Sequence, residues 1–543
     1  MPPSGPDLPE RVLGTPLTRR RLGTLAAGTA LAAGVAAIPG MLLPTAAQAQ
    51  PSAPAGATAE PDPDAPLRQL RAMWIASVVN IDWPSATGLP AAEQRAQLTA
   101  WFDLAVRLRF NAVVLQVRPT ADAFWPSPYE PWSQYLTGTQ GVDPGYDPLA
   151  FAVEEAHKRN LQLHAWFNPY RVSMQTDPSK LVESHPARRH PDWVFAYGPK
   201  LYYDPGIPEV RRFVEDAILD ALRYDIDAVH FDDYFYPYPV AGQELPDADT
   251  FATYGARFDD IGDWRRHNID LLISEMYQRI HARKPHVQFG VSPFGIWRNA
   301  SSDPAGSDTG GTESYNANYA DTRKWVKQGW LDYINPQVYW NIGLAVADYA
   351  KLTPWWAEQV RDTPVKLYIG EATYKVGAAG QPAAWQDQAE LSRHLDLDAQ
   401  YPEVAGNVYF SATEVRADTL GATSRLVAEH YQHPALPPAM PRLDPRAPGR
   451  PQLTHAVRTG DGVSLRFHPT GSLRPVSYAI FRFDGRGARP VVDAGNLIAT
   501  VRATGHAQRW TDTTAGTGTH GYAVMALSPT EVASPLSATR TVH

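Results

Sequence analysis

Cysteine is absent from the 543 residues. Disulfides, thiolate metal ligands and thiol nucleophiles are excluded with it. A basic block is absent too. Lys and Arg number 49 against 57 Asp and Glu, a net charge of −8 spread evenly, which leaves no electrostatic footprint for nucleic acid. No two histidines stand at H-x-x-x-H spacing, so a helix-borne zinc pair is missing. Beyond the first fifty residues no apolar run reaches bilayer-spanning length.

The one long apolar run, Leu25 to Leu43, follows Thr18-Arg19-Arg20-Arg21-Leu22 and precedes Ala47-Gln48-Ala49. Basic flank, apolar run and A-x-A site predict an export signal over 1–49, and the arginines favour the twin-arginine route. Such a signal is a receptor-read address, so no membrane attachment is expected after its removal, and the mature chain is expected outside the cytoplasm. Residues 50–66 read as a Pro/Ala/Asp linker.

Aromatics are plentiful, with 16 Trp and 25 Tyr. Four of the tyrosines lie in the segment Tyr224 to Tyr238, YDIDAVHFDDYFYPY. A short strand, Ala228 to Phe231, ends in Asp232 and Asp233, and Tyr234, Phe235, Tyr236 and Tyr238 follow. Upstream, Val210, Phe213, Val214, Ala217, Ile218, Ala221 and Leu222 mark one helix face. Helix, buried strand, then an acidic and aromatic mouth is the order of a parallel α/β barrel, whose chemistry sits at the carboxyl ends of its strands. The bland reading of the two aspartates is turn capping. The aromatic apron and the barrel context favour glycoside hydrolysis, in which an acid protonates the leaving oxygen.

Strand patterns recur at 71–78, 112–117, 162–166, 228–231, 287–292, 332–338, 365–369 and 407–410, with helical patterns between them. This predicts a (β/α)8 TIM-type barrel over 67–432. A Pro-rich linker is expected at 433–451. Short alternating runs then predict an all-β sandwich of the fibronectin type III kind over 452–543.

The motifs QVRPTADAFW, PWSQYLTG, GYDPL, EAHKRN, HAWFNPYR, DPGIPEVR, HFDDYFYP, FGVSPFGIWRN, INPQVYW and LYIG, in this order over roughly 66–400, resemble the glycosyl-hydrolase-like 10 family. The resemblance implies a TIM-type barrel, export or lipid anchoring, and hydrolysis of glycosidic bonds. Its implied substrate class is peptidoglycan glycan strands, notably those stripped of stem peptides. Carried over by position, HFDDYFYP implies Asp232 and Asp233 as catalytic carboxylates. The other motifs imply Arg118, Asp122, His164, Asn168, Tyr170, Arg171, Trp297, Gln337, Tyr339 and Trp340; Tyr234 and Tyr236 join them as aromatic neighbours of the acids. His164 is as readily a satisfied core residue, Arg118 a counter-ion to a buried aspartate, and Trp297 or Trp340 lid packing. Glu371, where relatives carry mainly neutral residues, and Asp122 compete as a second acid, with Asp122 the better placed. No cofactor or metal is expected, and a monomer acting on a cell-wall polysaccharide is. Direct attack by opposed carboxylates and assistance by the sugar's own 2-acetamido group both remain open, the second slightly favoured. Two rivals stand beside hydrolysis: a non-catalytic wall-glycan-binding barrel, and a metal-dependent hydrolase or deacetylase using His164, Asp232 and Asp233.

Overall fold

The structure is a computed structural model that describes residues 66–485 and 490–543. The expected export signal and all but the last residue of the 50–66 linker lie outside the described residues. Eight parallel strands close into a barrel in sequence order: β1 Leu70–Ile75, β2 Ala112–Arg118, β3 Gln162–Phe167, β4 Ala228–Phe231, β5 Gln288–Val291, β6 Tyr333–Ile334, β7 Lys366–Glu371 and β8 Val404–Tyr409. An outer helix follows each: α1 Ala91–Arg107, α2 Pro148–Lys158, α3 Pro208–Leu219, α4 Ile261–Arg283, α5 Thr322–Gln328, α6 Tyr349–Val360, α7 Glu390–Asp398 and α8 Ala422–His430.

The barrel strands are buried on both faces, as parallel strands sheathed by helices must be. Val113, Leu115, Leu163, Val229 and Phe289 join the helix layer, whereas Trp74, Val114, Trp166, Ala228 and Tyr333 fill the interior. α3 starts with Pro208 in its first turn and buries Val210, Val214, Ala217 and Ile218, the face its spacing predicts. β6 is two residues long, shorter than the 332–338 its pattern predicts. Pro336 has no N–H to continue the ladder, and Gln337 makes only isolated bridges, to Phe294 and Gly370.

A small antiparallel sheet not read from the sequence (Arg171–Ser173, Lys200–Tyr203, Val194–Tyr197) lies between β3 and α3. The C-terminal strands are β9 Gln452–Thr459, β10 Gly462–His468, β11 Ser477–Asp484, β12 Leu497–Arg502, β13 Gln508–Asp512, β14 His520–Leu527 and β15 Arg540–Val542. They form a three-stranded sheet, β9-β10-β13, and a four-stranded sheet, β12-β11-β14-β15. Leu465, Phe467, Tyr478, Ile480, Tyr522 and Val524 fill the space between the two.

The outer face of the four-stranded sheet is also buried, through Phe481, Phe483, Leu497, Met525 and Leu527 with Leu436 and Leu67. The Pro-rich segment is therefore packed rather than loose. Leu436 exchanges backbone bonds with Leu67 and Gln69, and Met440 donates to Thr530. Contacts with the barrel fall at the amino ends of its strands: Gln162 donates to Glu531, and Arg502 donates to His157, which pairs with Asp227.

A polar column runs up the barrel from this base. Trp74 Nε1–H meets His230 Nε2 at 3.2 Å, and indole only donates, so His230 carries its proton on Nδ1 and gives it to Tyr333 Oη at 2.9 Å. From the other end, Glu531 accepts from the Gln162 amide nitrogen. Gln162 Oε1 then accepts from His164 Nε2–H, and His164 Nδ1 accepts from the Tyr333 hydroxyl at 3.1 Å. Both directions agree. Burial lowers the pKa of His164 to about 4 and puts that of His230 well below the usual value, keeping both rings neutral. Gly290 makes room: a Cβ there would stand 2.1 Å from the Tyr333 ring.

Burial also raises Glu531 from 4.5 to about 7, against the pull of Arg68. The stability this group contributes is full below pH 4.5 and lost as pH rises through about 7. Glu531→Gln keeps an acceptor for Gln162 and removes the titration. Thermal melts should show the variant losing less stability than the parent between pH 5 and 8, by on the order of 3 kcal/mol.

Candidate active site

β4 points Ala228 and His230 into the barrel, and the same alternation brings Asp232 to the mouth. Asp232 and Asp233 are 7% and 3% exposed. Asp232 accepts from Asn168 Nδ2 at 2.9 Å, from Gln337 Nε2 at 3.4 Å and from the Asp233 backbone N–H at 2.9 Å. Asp233 accepts from the Tyr238 hydroxyl through one oxygen, and among the described residues no donor reaches its other oxygen. Burial, then the charge of Asp232 and a hydrogen bond to it, raise the Asp233 pKa well above the usual carboxylate range. A carboxyl that keeps its proton through a bond to a neighbouring carboxylate is a proton donor ready for use.

The layer behind the pair is as ordered. Asn168 is held by Gln116, whose amide donates to its Oδ1 at 2.7 Å and whose own oxygen accepts from the Ser77 and Val78 N–H groups. Arg118 donates to the Asn168 and Pro169 carbonyls. It is locked by a two-bond ion pair with Glu130, both side chains fully buried. The counter-ion of Arg118 is thus Glu130 rather than an aspartate, and the arginine acts on the site through the backbone that carries Asn168.

Two arcs of rings flank the acids. Tyr234 meets Tyr238 edge-on at 5.7 Å, Tyr238 meets Phe294 at 6.1 Å, and Phe294 meets Trp340 at 5.3 Å. Opposite, Tyr339 contacts Tyr374 at 5.8 Å and Phe410 at 6.2 Å. Tyr234 and Tyr339 have pKa values raised by burial first, with the charges of Asp232 and Asp233 adding to it. The structure thus gathers Asp232, Asp233, Asn168, Arg171, Tyr234, Gln337, Tyr339 and Trp340 at one mouth.

Six other sequence candidates face elsewhere. His164 is in the interior column with both ring nitrogens engaged, which also withdraws it from a metal set with the aspartates. Tyr170 is fully buried among Arg211, Glu215 and Glu275 at the helix layer. Tyr236 packs on Tyr319 and Asn268. Trp297 bonds Asp321 and stacks on Trp355, which is packing rather than a sugar platform. Asp122 is closed inside its loop with Thr120 and Ser133, and burial raises it to about 7. Glu371 extends β7 by one step past Gly370, whose face is toward Trp74, so Glu371 points outward. There it accepts from Tyr349, Asn407 and His394, and against its burial His394 is raised to about 9 by that carboxylate. Among the described residues no group of three or more His, Asp or Glu side chains is placed to hold a metal ion.

The sequence reading passed over Gln116, Ser292 and Lys200, and took Tyr238 only as one of the aromatic run behind the acids. Ser292 reaches His230, and its carbonyl receives Gln337. Lys200 sits on the small sheet, its ammonium 5.8 Å from the Tyr234 ring.

Residues 69–387 match the family model described as glycosyl hydrolase-like 10. The chain is 49% identical over 456 residues to glycosyl hydrolase YngK of Bacillus subtilis (strain 168), covering 82% of this chain and 88% of that protein. It is 42% identical over 378 residues to glycosyl hydrolase DigH of Escherichia coli (strain K12), covering 66% of this chain and 86% of that protein. Among solved structures, the PgaB (BpsB) glycoside hydrolase domain from Bordetella bronchiseptica aligns over 66% of this chain and 98% of that one, with 12% identity and a TM-score of 0.44.

Replacing Arg118 with Met strands Glu130 as a buried charge, which should cost about 3–5 kcal/mol in a denaturant titration. Adding Glu130→Gln to that variant should restore much of the loss.

Proposed function

The chain belongs to the glycosyl hydrolase-like 10 family, and from that premise we propose an exported glycoside hydrolase acting on peptidoglycan glycan strands that lack stem peptides. Its substrate is a carbohydrate. The observation that carries the catalytic reading is the raised pKa of Asp233 together with its place beside Asp232 at the mouth. In this reading Asp233 protonates the leaving glycosidic oxygen. The half-buried rings of Tyr339, Tyr374 and Phe410 on one side, and of Phe294 and Trp340 on the other, offer stacking faces for pyranose rings. The paired arginines of the leader and the family resemblance support export and the wall glycan.

Asp232 supports assistance by the substrate over direct displacement. Each carboxylate oxygen has two acceptor sites. Apart from the proton shared with Asp233, one Asp232 oxygen takes only the Asn168 bond, so once that proton goes to the leaving oxygen it can accept an acetamido N–H and orient that group toward the anomeric carbon. Tyr339 lies beside the same acids, its hydroxyl kept protonated by burial first and by the neighbouring tyrosine and carboxylates after it.

Asp233→Asn should lower turnover on natural strands about 10²–10⁴-fold. An activated leaving group should be rescued more than the natural one. Near-normal turnover of the variant would move the acid elsewhere. Asp232→Asn should impair both substrate types, because its part lies in bond-breaking geometry.

The pH profile gives a second check. Activity should fall on the alkaline side as Asp233 loses its proton. In Asp232→Asn the charge that raises Asp233 is gone, so the residual activity should fall at lower pH than in the parent. An unmoved alkaline limb would separate the two groups.

A further inference from the structure

We propose that Arg171 and Lys200 form an anion subsite beside Asp233 that receives a carboxylate carried by the substrate's sugar. The proposal rests on the glycoside-hydrolase reading and adds to it the charge of the group recognised.

A buried cation is costly unless it is paired or fully hydrogen-bonded. Arg118 has Glu130 and Arg265 has Asp247, and Arg71, without an acid, donates to the Gln69 side chain and the His433 carbonyl. Arg171 and Lys200 are less well served. Arg171 is 4% exposed; its Nε donates to the Pro119 carbonyl at 2.9 Å, and its Nη2 is buried without a partner. Lys200 is 9% exposed, and among the described residues its ammonium makes no hydrogen bond or ion pair. The guanidinium and the ammonium lie 5.2 and 5.8 Å from the same ring, that of Tyr234. Tyr234 in turn contacts Tyr238, whose hydroxyl bonds Asp233.

Counter-ions for the aspartates would be the plain alternative. The bonds to Asp232 and Asp233 come from Asn168, Gln337, Tyr238 and a backbone N–H, and neither cation takes part. Asp233 holds its proton, so two cations face one carboxylate and a positive charge is left over. Lys200 bears this out: burial, then Arg171, lower it to about 8, and the one opposing pull, from Asp233, acts only when that acid is ionised. A planar carboxylate fits a guanidinium fork and an ammonium together. An acid ether on an amino sugar and a uronic acid both carry that group. A carboxyl already joined to a peptide through an amide carries no charge and would leave both cations unpaired.

The test measures binding and hydrolysis separately. Asp233→Asn protein is titrated calorimetrically with a soluble N-acetylglucosamine/N-acetylmuramic acid tetrasaccharide, free or methyl-amidated at its lactyl carboxylates. A glucuronate-containing oligosaccharide forms a third arm. The free acid should bind about 10–100-fold more tightly than the amide. That ratio should collapse toward one in Asp233→Asn/Lys200→Met and be partly kept in Asp233→Asn/Lys200→Arg. Equal or undetectable binding of acid and amide, or a ratio that survives Lys200→Met, overturns the subsite. Tighter binding of the glucuronate would support the subsite and assign the carboxylate to a uronic acid. Parent enzyme that fails to cleave the tetrasaccharide, while the acid preference persists, would sink the substrate reading and leave the subsite standing.

Discussion

Two carboxylates on consecutive residues, both shut away from water, cannot both carry charge, and the barrel mouth is built around that constraint. Asp233 keeps the proton and Asp232 takes the donors. Those donors need holding: Asn168 is oriented by Gln116, and the backbone beneath it is clamped by Arg118. Arg118 in turn cannot be buried without Glu130. A requirement set by two adjacent side chains thus extends through three strands and a loop. Residues well behind the mouth thereby help to set where the proton of the pair resides.

The C-terminal domain enters this economy from the opposite end. It covers the amino ends of the barrel strands, the end that serves stability rather than chemistry, and leaves the carboxyl-end mouth untouched. Packing on the barrel is the role its contacts describe, with Leu436 and the outer sheet face joining the two parts into one unit.

Much of this was readable from the chain. β4 appears residue for residue where the pattern placed it, because a buried parallel strand bounded by polar residues leaves little choice of ends. The helix faces followed from spacing. Side-chain direction past the strand ends was less accessible. Tyr234 and Tyr236 look equivalent in sequence, and only the loop path turns one to Lys200 and the other to α4. Glu371 did carry a signal: strand pairing continues to Tyr409, and parity from Gly370 sends it outward. Lys200 was legible as well, since VFAYGPKLYY is two aromatic runs about a Gly-Pro turn, with Gly198 at φ +53°. β9 was hidden for a plain reason, as its apolar face is thin and Val457 is 55% exposed.

The interior column has a polarity. Trp74 only donates and Glu531 accepts, so every N–H and O–H between them points from the mouth toward the base, and no member can reverse alone. The aligned bonds turn their negative ends upward, beneath the strand ends. A sugar whose anomeric carbon turns cationic as its bond breaks would stand above that end of a fixed dipole, in a site where no solvent need reorganise to meet it.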